Sequence, residues 1–170
     1  MKKSGIKVGG IFEVSCFGPD GKLKWEDTAK NLVTNEGLDT ILNLLLKGTA
    51  NIDPWYIGLT DGTPTVDPAD QLTGTHTGWV EVTAYTEAAR QAFVDGALSS
   101  QSVTNSASKA SYAINANSTT IGGAFLASSA TTGANGLLLC GAAFTGGDKS
   151  ADSGDTLNVQ YSFSAADDGV

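Results

Sequence analysis

The chain has 170 residues, 41% of them hydrophobic, which is enough to build the core of one domain. Its 18 acidic and 10 basic residues give a formal net charge of −8, which argues against a nucleic-acid partner because phosphate binding needs clustered cations. Two cysteines are too few for a disulfide scaffold, and no apolar run approaches the roughly 20 residues of a membrane-spanning helix. Since no secretion signal is visible, we expect a protein that is made in the cytoplasm and has no membrane partner.

The N-terminal segment Met1–Gly10 is polar and contains glycine, and we expect it to be a flexible arm. Residues 11–170 are then the single folded domain. Apolar and polar residues alternate from Ile11 to Cys16 and again in KLKWED, and the intervening GPDG is a turn signal. This pattern predicts a β-hairpin directly after the arm.

The stretch NLVTNEGLDTILNLLLKG holds the densest apolar run in the chain and predicts one α-helix over about residues 35–47. Thr34 or Asn35 can cap its start by accepting a hydrogen bond from a free N–H group. Gly48 follows the last apolar position and suits the left-handed conformation that often ends a helix.

The apolar residues of this helix are wider than one stripe. Four of them share one helix face, which we expect to pack against the sheets. Leu44 and Leu46 lie beyond that face, and we expect them to be covered either by the following loop or by another subunit. The residues assigned to the packed face are Leu38, Ile41, Leu42 and Leu45.

After the helix the sequence predicts short strands separated by turns, of which the clearest is the alternating run from Leu157 to Phe163. The segment Thr63–Gly78 has two prolines and no strand pattern, which predicts a long surface loop. In total we count eight or nine strands and one helix. This content predicts a mainly β protein, an antiparallel two-sheet sandwich with the helix covering one edge or end.

Residues with catalytic or metal-binding chemistry are sparse. His76 is the one histidine and lies among threonine and glycine, so we expect an exposed loop residue rather than a catalytic one. Asp148, Asp152 and Asp155 share one loop, where they fit either a weak calcium site or an ordinary turn into a strand. We therefore expect no enzyme activity and no cofactor.

The three tryptophans lie in predicted strands among apolar residues. Packing in the core or at its rim is one interpretation, and a protein–protein contact, where tryptophan is enriched, is the other. The residues concerned are Trp25, Trp55 and Trp79.

Five blocks of the sequence, taken in order, resemble the capsid decoration (cement) proteins among the small structural proteins of tailed bacteriophages. The similarity spans roughly Ile11–Ala165. The resemblance implies a jelly-roll-like β-sandwich on the outer surface of the virion head, made in the host cytoplasm, which forms a homo-oligomer and clamps neighbouring major capsid subunits. The blocks are NLVTNEGLDTILNLLL, WYIGLTDG, HTGWVEVTAYTEAARQAF, SVTNSASKASYAINANSTTIGGAFLAS and SGDTLNVQYSFSA.

Contacts with the capsid or with another subunit are expected on the arm, on the helix and on the long loop. An arm of this kind can add a strand to an open sheet edge, and its lysines suit acidic patches. A tail- or fibre-associated virion protein and a receptor- or carbohydrate-binding module are the alternatives. The candidate contact residues are Lys2, Lys3, Lys7, Leu44, Leu46, Trp55, Thr63, Pro64, Val66, Asp67 and His76.

Overall fold

The computed structural model describes residues 5–73 and 79–167, and within them the protein is an antiparallel β-sandwich with one α-helix, as predicted. There are thirteen strands in these residues instead of eight or nine, because several of them are pairings of only two or three residues, such as β3 (Leu32–Val33) and β5 (Val80–Glu81). No helix in these ranges is long and apolar enough to cross a membrane. The elements are β1 (Ile6–Phe17), β2 (Leu23–Lys30), β3 (Leu32–Val33), α1 (Asn35–Leu46), β4 (Trp55–Asp61), β5 (Val80–Glu81), β6 (Gln91–Phe93), β7 (Ser102–Thr104), β8 (Ala110–Ala113), β9 (Thr119–Ile121), β10 (Gly123–Ala127), β11 (Leu138–Ala143), β12 (Lys149–Ala151) and β13 (Thr156–Asp167).

Two sheets form the layers of the sandwich. Sheet A has the order β2-β1-β13-β7, with β8 pairing a second part of β13. Sheet B has the order β3-β11-β10-β4-β5, with β6 pairing the start of β4. The segment from β2 to β3 passes from one sheet to the other, and β9 and β12 form a separate short pair.

The core lies between the two sheets and follows the predicted alternation. In the β1–β2 hairpin and in β13, every second side chain points inward, so Phe12, Val14 and Cys16 lie opposite Tyr161, Val159 and Leu157. Ile57 and Leu59 of β4 and the inward side chains of β10 and β11 supply the other half. Period-two patterning therefore identified the buried face of sheet A correctly.

The second half of the predicted arm is part of a strand. Strand β1 begins at Ile6, and Ile6 to Gly10 pair in register with Asp167 to Phe163 of β13. The prediction of a loose segment up to Gly10 is therefore wrong for these residues, because the C-terminal strand is long enough to cover them. Residues 1–4, with Lys2 and Lys3, lie outside the described residues.

The helix lies where the sequence predicts it, but it is rotated away from the predicted orientation. Thr34 is its N-cap and accepts a hydrogen bond from the Gly37 N–H, and Gly48 follows its end with φ 62°. The face against β11 consists of small and half-buried residues, not of the predicted leucine stripe. That face consists of Gly37, Thr40, Ile41 and Leu44.

Close approach of the backbone explains this rotation. A Cβ atom on Gly37 would collide with the Leu139 carbonyl group, so only glycine permits α1 to lie this near β11. The Thr34 hydroxyl donates to the Leu138 carbonyl (2.6 Å), and the Glu36 carboxylate accepts from the Leu138 N–H (2.7 Å). Hydrogen bonds at the start of the helix thus determine which side of α1 packs against β11.

The long loop covers the outer face of sheet B. Gly123 of β10 leaves room for Pro64, and Gly141 of β11 leaves room for the Trp79 ring, because a Cβ at either position would collide with them. Trp79 stacks on Phe125 with 5.5 Å between ring centroids, and these side chains form a second small core with Leu72, Ala127 and Leu138. The described part of this loop is therefore a structural layer on the outer face of sheet B.

Candidate interaction surfaces

The first half of β1 has an open edge. Strand β2 pairs with β1 only from Ile11 onward, so among the described residues Ile6 to Gly9 pair with β13 alone. The Gly10 carbonyl accepts from the Asn31 N–H on the β2 side, and by the alternation of an antiparallel strand Val8 directs its N–H and C=O groups to that same side. This edge is a template for another strand.

Two lysines lie on one face of sheet A beside this edge. Lys30 pairs with Ile11, and Lys7 lies four residues before Ile11 on the same face of β1. A shallow groove of about 640 Å³ lies between them, and its floor is built from small side chains. The floor residues are Gly9, Ser102, Ser162, Ser164 and Ala166. In a chain with net charge −8, this is a locally basic strip that suits an acidic segment.

The outward face of α1 is apolar. Leu38 and Leu42 are 40% and 52% exposed, and Leu45 and Leu46 are 75% and 79% exposed. The expectation that Leu38, Leu42 and Leu45 pack on the sheets is therefore wrong, and only Ile41 of the predicted stripe packs against the core. Leu44 is half-buried, whereas Leu46 is free for a contact with another chain.

The loop residues proposed as contacts differ in accessibility. Pro64 is buried and Val66 half-buried on the outer face of sheet B, so neither presents a free side chain. Thr63 and Asp67 are exposed, and each makes a hydrogen bond within the chain: Thr63 donates to the Asp148 carboxylate (2.6 Å), and Asp67 accepts from the Ala69 N–H (2.8 Å). His76 lies outside the described residues.

All three tryptophans pack against one of the two hydrophobic clusters. Trp25 and Trp55 are half-buried against the main core, and Trp79 packs on the smaller cluster. Trp25 also donates its indole N–H to the Ser150 carbonyl (2.8 Å). The packing interpretation is therefore confirmed for these side chains, and Trp55, a candidate contact residue, lies at the rim of the core.

The three loop aspartates do not converge. Asp148 bonds Thr63, whereas Asp152 and the buried Asp155 are joined by the Lys24 ammonium, at 3.2 Å and 2.5 Å. The bond to Asp155 raises the Lys24 pKa, and bonds from the Ser118 N–H and from Lys24 lower the Asp152 pKa. Within the described ranges no group of three His, Cys, Asp or Glu side chains could hold a metal ion. The turn interpretation of these aspartates is the better one.

A buried ion pair that the sequence did not suggest organises one end of sheet B. The Arg90 guanidinium, 2% exposed, donates Nε to Glu81 Oε1 (2.7 Å) and Nη2 to Oε2 (2.9 Å). It also donates to the carbonyls of Ser129, Gly133 and Asn135, which ties down the loop between β10 and β11.

The two cysteines are buried free thiols in separate environments. Cys16 lies 3.8 Å from the Asp155 carboxylate, and Cys140 lies 3.3 Å from the Tyr161 hydroxyl. Burial raises the pKa of each thiol to about 11, with the Asp155 charge adding to the effect at Cys16. Such thiols are poor nucleophiles, and they contribute as small hydrophobic side chains.

In comparisons with known proteins, no family model, no curated protein and no solved structure matches this chain.

Proposed function

We propose that this chain is a virion structural protein that decorates the outer surface of a tailed-phage head by binding its major capsid protein. The proposal rests on the resemblance of the sequence blocks over Ile11–Ala165. The antiparallel sandwich is compatible with the jelly-roll-like topology that this resemblance implies. Because one fold hosts many functions, the fold alone does not support this function, and a surface able to bind another protein is needed as well.

The open edge of β1 is the observation that supports binding to a protein partner. A strand added at Ile6–Gly9 would gain main-chain hydrogen bonds without any rearrangement of the sandwich. Acidic side chains on that strand would meet Lys7 and Lys30. The partner segment on the capsid is then an extended stretch with carboxylates on one face.

The mechanism of stabilisation would be mass action. A ligand that binds the assembled lattice but not its free subunits stabilises the lattice by its binding free energy. Each contact can be weak, since many copies on one shell act together.

Cosedimentation with empty heads of the phage that encodes the chain tests the proposal. We expect the protein to pellet with the heads and to raise the temperature at which they come apart. Sedimentation with isolated tails but not with heads would favour the tail-associated alternative and overturn the proposal.

A proline at the open edge tests the contact itself. Val8→Pro removes an N–H that points to the open side, so the pairing of β1 with β13 should survive while head binding falls. Val8→Ala keeps this N–H and should bind as the unmodified protein does. Lys7→Glu should weaken binding, whereas Lys22→Glu, in the exposed turn after β1, should not.

A further inference from the structure

The loop between β10 and β11 contains the one asparagine–glycine pair of the sequence, Asn135–Gly136. In such a pair the main-chain nitrogen of the glycine can attack the side-chain amide carbon of the asparagine, because glycine has no Cβ to obstruct the approach. The nucleophile and the electrophile belong to the same chain, so no other molecule has to be bound first. Whether the pair reacts depends on how the folded loop presents these atoms.

Hydrogen bonds hold this pair from both sides. The Asn135 carbonyl accepts from Arg90 Nη1 (3.0 Å), and the Leu137 N–H donates to the Ser128 hydroxyl (2.8 Å). Gly136 has φ 89°, and a Cβ on it would come within 2.9 Å of the Ser128 hydroxyl oxygen. The loop therefore requires glycine at this position, independently of any reaction.

The reacting atoms are accessible. Asn135 is exposed, and its side-chain amide donates one hydrogen bond to the Thr132 carbonyl (2.8 Å). Water can replace an exposed hydrogen bond of this kind at small cost, which frees the side chain to turn toward the glycine. Among the described residues nothing accepts from the Gly136 N–H, so this nitrogen gives up no hydrogen bond within them when it reacts.

Arg90 contacts the peptide group that has to ionise. The Gly136 nitrogen becomes a nucleophile when its N–H loses the proton, and the resulting charge is shared with the carbonyl oxygen of Asn135. A guanidinium that is hydrogen-bonded to this oxygen favours the ionised form. The bond comes from Nη1, whereas the Glu81 carboxylate is bound by Nε and Nη2. Because the guanidinium is 2% exposed, water screens its effect little.

We propose that Asn135 is a site of self-modification, which converts to aspartate and above all to isoaspartate with Arg90 as the promoting group. The Gly136 nitrogen, having lost its proton to solvent, uses its electron pair to bond to the side-chain amide carbon of Asn135. The bond from this carbon to Nδ2 breaks, and Nδ2 takes a proton from solvent and leaves as ammonia. The product is a cyclic imide, which one water molecule then opens.

Arg90 also determines which product forms. Attack of water on the side-chain carbonyl of the imide gives aspartate. Attack on the main-chain carbonyl gives isoaspartate, in which the chain runs through the side chain and the main-chain carbonyl becomes a free carboxylate. Arg90 polarises the main-chain carbonyl, and its Nη1–H group stabilises the charge that develops on this oxygen. The new carboxylate remains beside the guanidinium as a charge-assisted acceptor.

The conversion changes the loop permanently. Each modified chain carries one additional carboxylate on a protein whose net charge is already −8. In isoaspartate the backbone is also longer by one atom, at the point where Arg90 connects the loop to β6. Older molecules therefore differ in charge from newly made ones, and this difference does not depend on the proposed function.

Ageing of the purified full-length protein at mildly alkaline pH tests the proposal. Intact mass and anion exchange count the deamidated chains, and fragmentation of the peptide that contains residue 135 separates isoaspartate from aspartate. A synthetic peptide of residues 129–138 with capped ends is the reference, because it contains the pair but lacks Arg90. We expect Asn135 to react in the folded protein at least as fast as in the peptide, with a larger share of isoaspartate.

Two further asparagine measurements serve as controls. Asn135→Gln keeps the main-chain carbonyl that Arg90 binds, but its longer side chain closes the ring far more slowly, so the deamidation at this position should disappear. Asn117 is followed by a serine, and the Ser118 N–H already donates to the Asp152 carboxylate (3.0 Å). Asn117 should therefore stay unchanged in the same samples.

Two results would overturn the proposal. One is a slower reaction of Asn135 in the folded protein than in the peptide, because the loop would then protect the pair. The other is an equal share of isoaspartate in both, because Arg90 would then have no part in opening the ring. Neither result bears on head binding, and a failure to bind heads would leave this inference unchanged.

Discussion

Arg90 and Glu81, nine residues apart in the chain, form a bidentate ion pair that is almost completely withdrawn from solvent. All five N–H donors of the guanidinium have acceptors, two on the carboxylate and three on backbone carbonyls. The same group lies 5.1 Å from the centroid of the Phe125 ring. This arrangement connects β5, the start of β6 and the loop between β10 and β11.

Replacing Arg90 should therefore destabilise the fold strongly. Arg90→Ala leaves the Glu81 charge and three carbonyls without their donor, and removal of one partner of a buried pair costs about 3–5 kcal/mol. Arg90→Lys keeps the charge but loses the planar fork and should recover only part of this loss. Chemical denaturation gives the free energies of unfolding. A loss below about 1 kcal/mol, typical of a surface pair, would contradict the assigned role.

Gly37→Ala should separate α1 from β11. The added Cβ would collide with the Leu139 carbonyl, and overpacking of this kind costs about 1–3 kcal/mol. Gly9→Ala is the matched control, because its Cβ would meet nothing closer than the Asn31 side chain at 3.7 Å. Thermal unfolding of both variants should show a lower melting temperature for Gly37→Ala alone. Equal melting temperatures would mean that the helix can shift without cost.

Asp27 should contribute to acid sensitivity. Burial raises its pKa, but bonds from the Lys149 ammonium and from the N–H groups of Gly146 and Thr28 outweigh burial and hold the pKa below the usual value. A carboxyl whose pKa is lowered on folding stabilises the fold above its unfolded pKa of about 3.9, and this contribution is lost as the pH falls through the folded pKa.

The stability difference between the unmodified protein and Asp27→Asn measures this contribution. It should be largest near neutral pH and should shrink as the pH falls from about 5 to about 2. Lys149→Met removes one of the bonds that lower the Asp27 pKa. In this variant the free energy of unfolding should therefore fall less between about pH 5 and about pH 2 than it does in the unmodified protein. A difference that stays constant with pH would contradict a lowered pKa.

The cysteines should be unreactive until the chain unfolds. With a pKa of about 11, each thiol is ionised in only about one molecule in a thousand at pH 8, and both side chains are 0% exposed. Labelling with a chromophoric disulfide should detect no thiol in the folded protein and two in denaturant. Val94→Cys, at an exposed position, should label at once and serves as the control. Fast labelling of the native thiols would show local opening of the sandwich.

Several features could be predicted because they depend on neighbouring residues. The alternation in β1 and β13 identified their buried faces, GPDG predicted the turn between β1 and β2, and Thr34 and Gly48 marked the ends of α1. Each of these signals lies within a few positions of the structure that it specifies. The long strands and the helix bounds therefore followed from the sequence.

Other features depend on residues that lie far apart in the chain. Helical periodicity located the leucines on one face, but the contact of Gly37 with Leu139 turns that face to solvent. The sequence predicts a long surface loop over Thr63–Gly78, yet Pro64 in this loop and Trp79 directly after it fill spaces that glycines in β10 and β11 leave open. Residues 6–10 looked loose because their partners, 163–167, lie at the other end of the chain.

Local pattern thus specified the long strands, the helix and which side chains of the long strands enter the core. The tertiary structure alone decided which side of the helix remains uncovered and which edge of β1 stays open. The reason is that the burial of a side chain depends on two segments. The sequence of one segment does not specify which distant backbone will pack against it. Both candidate contact surfaces of this protein, the outward apolar face of α1 and the open edge of β1, are decided by the tertiary structure in this way.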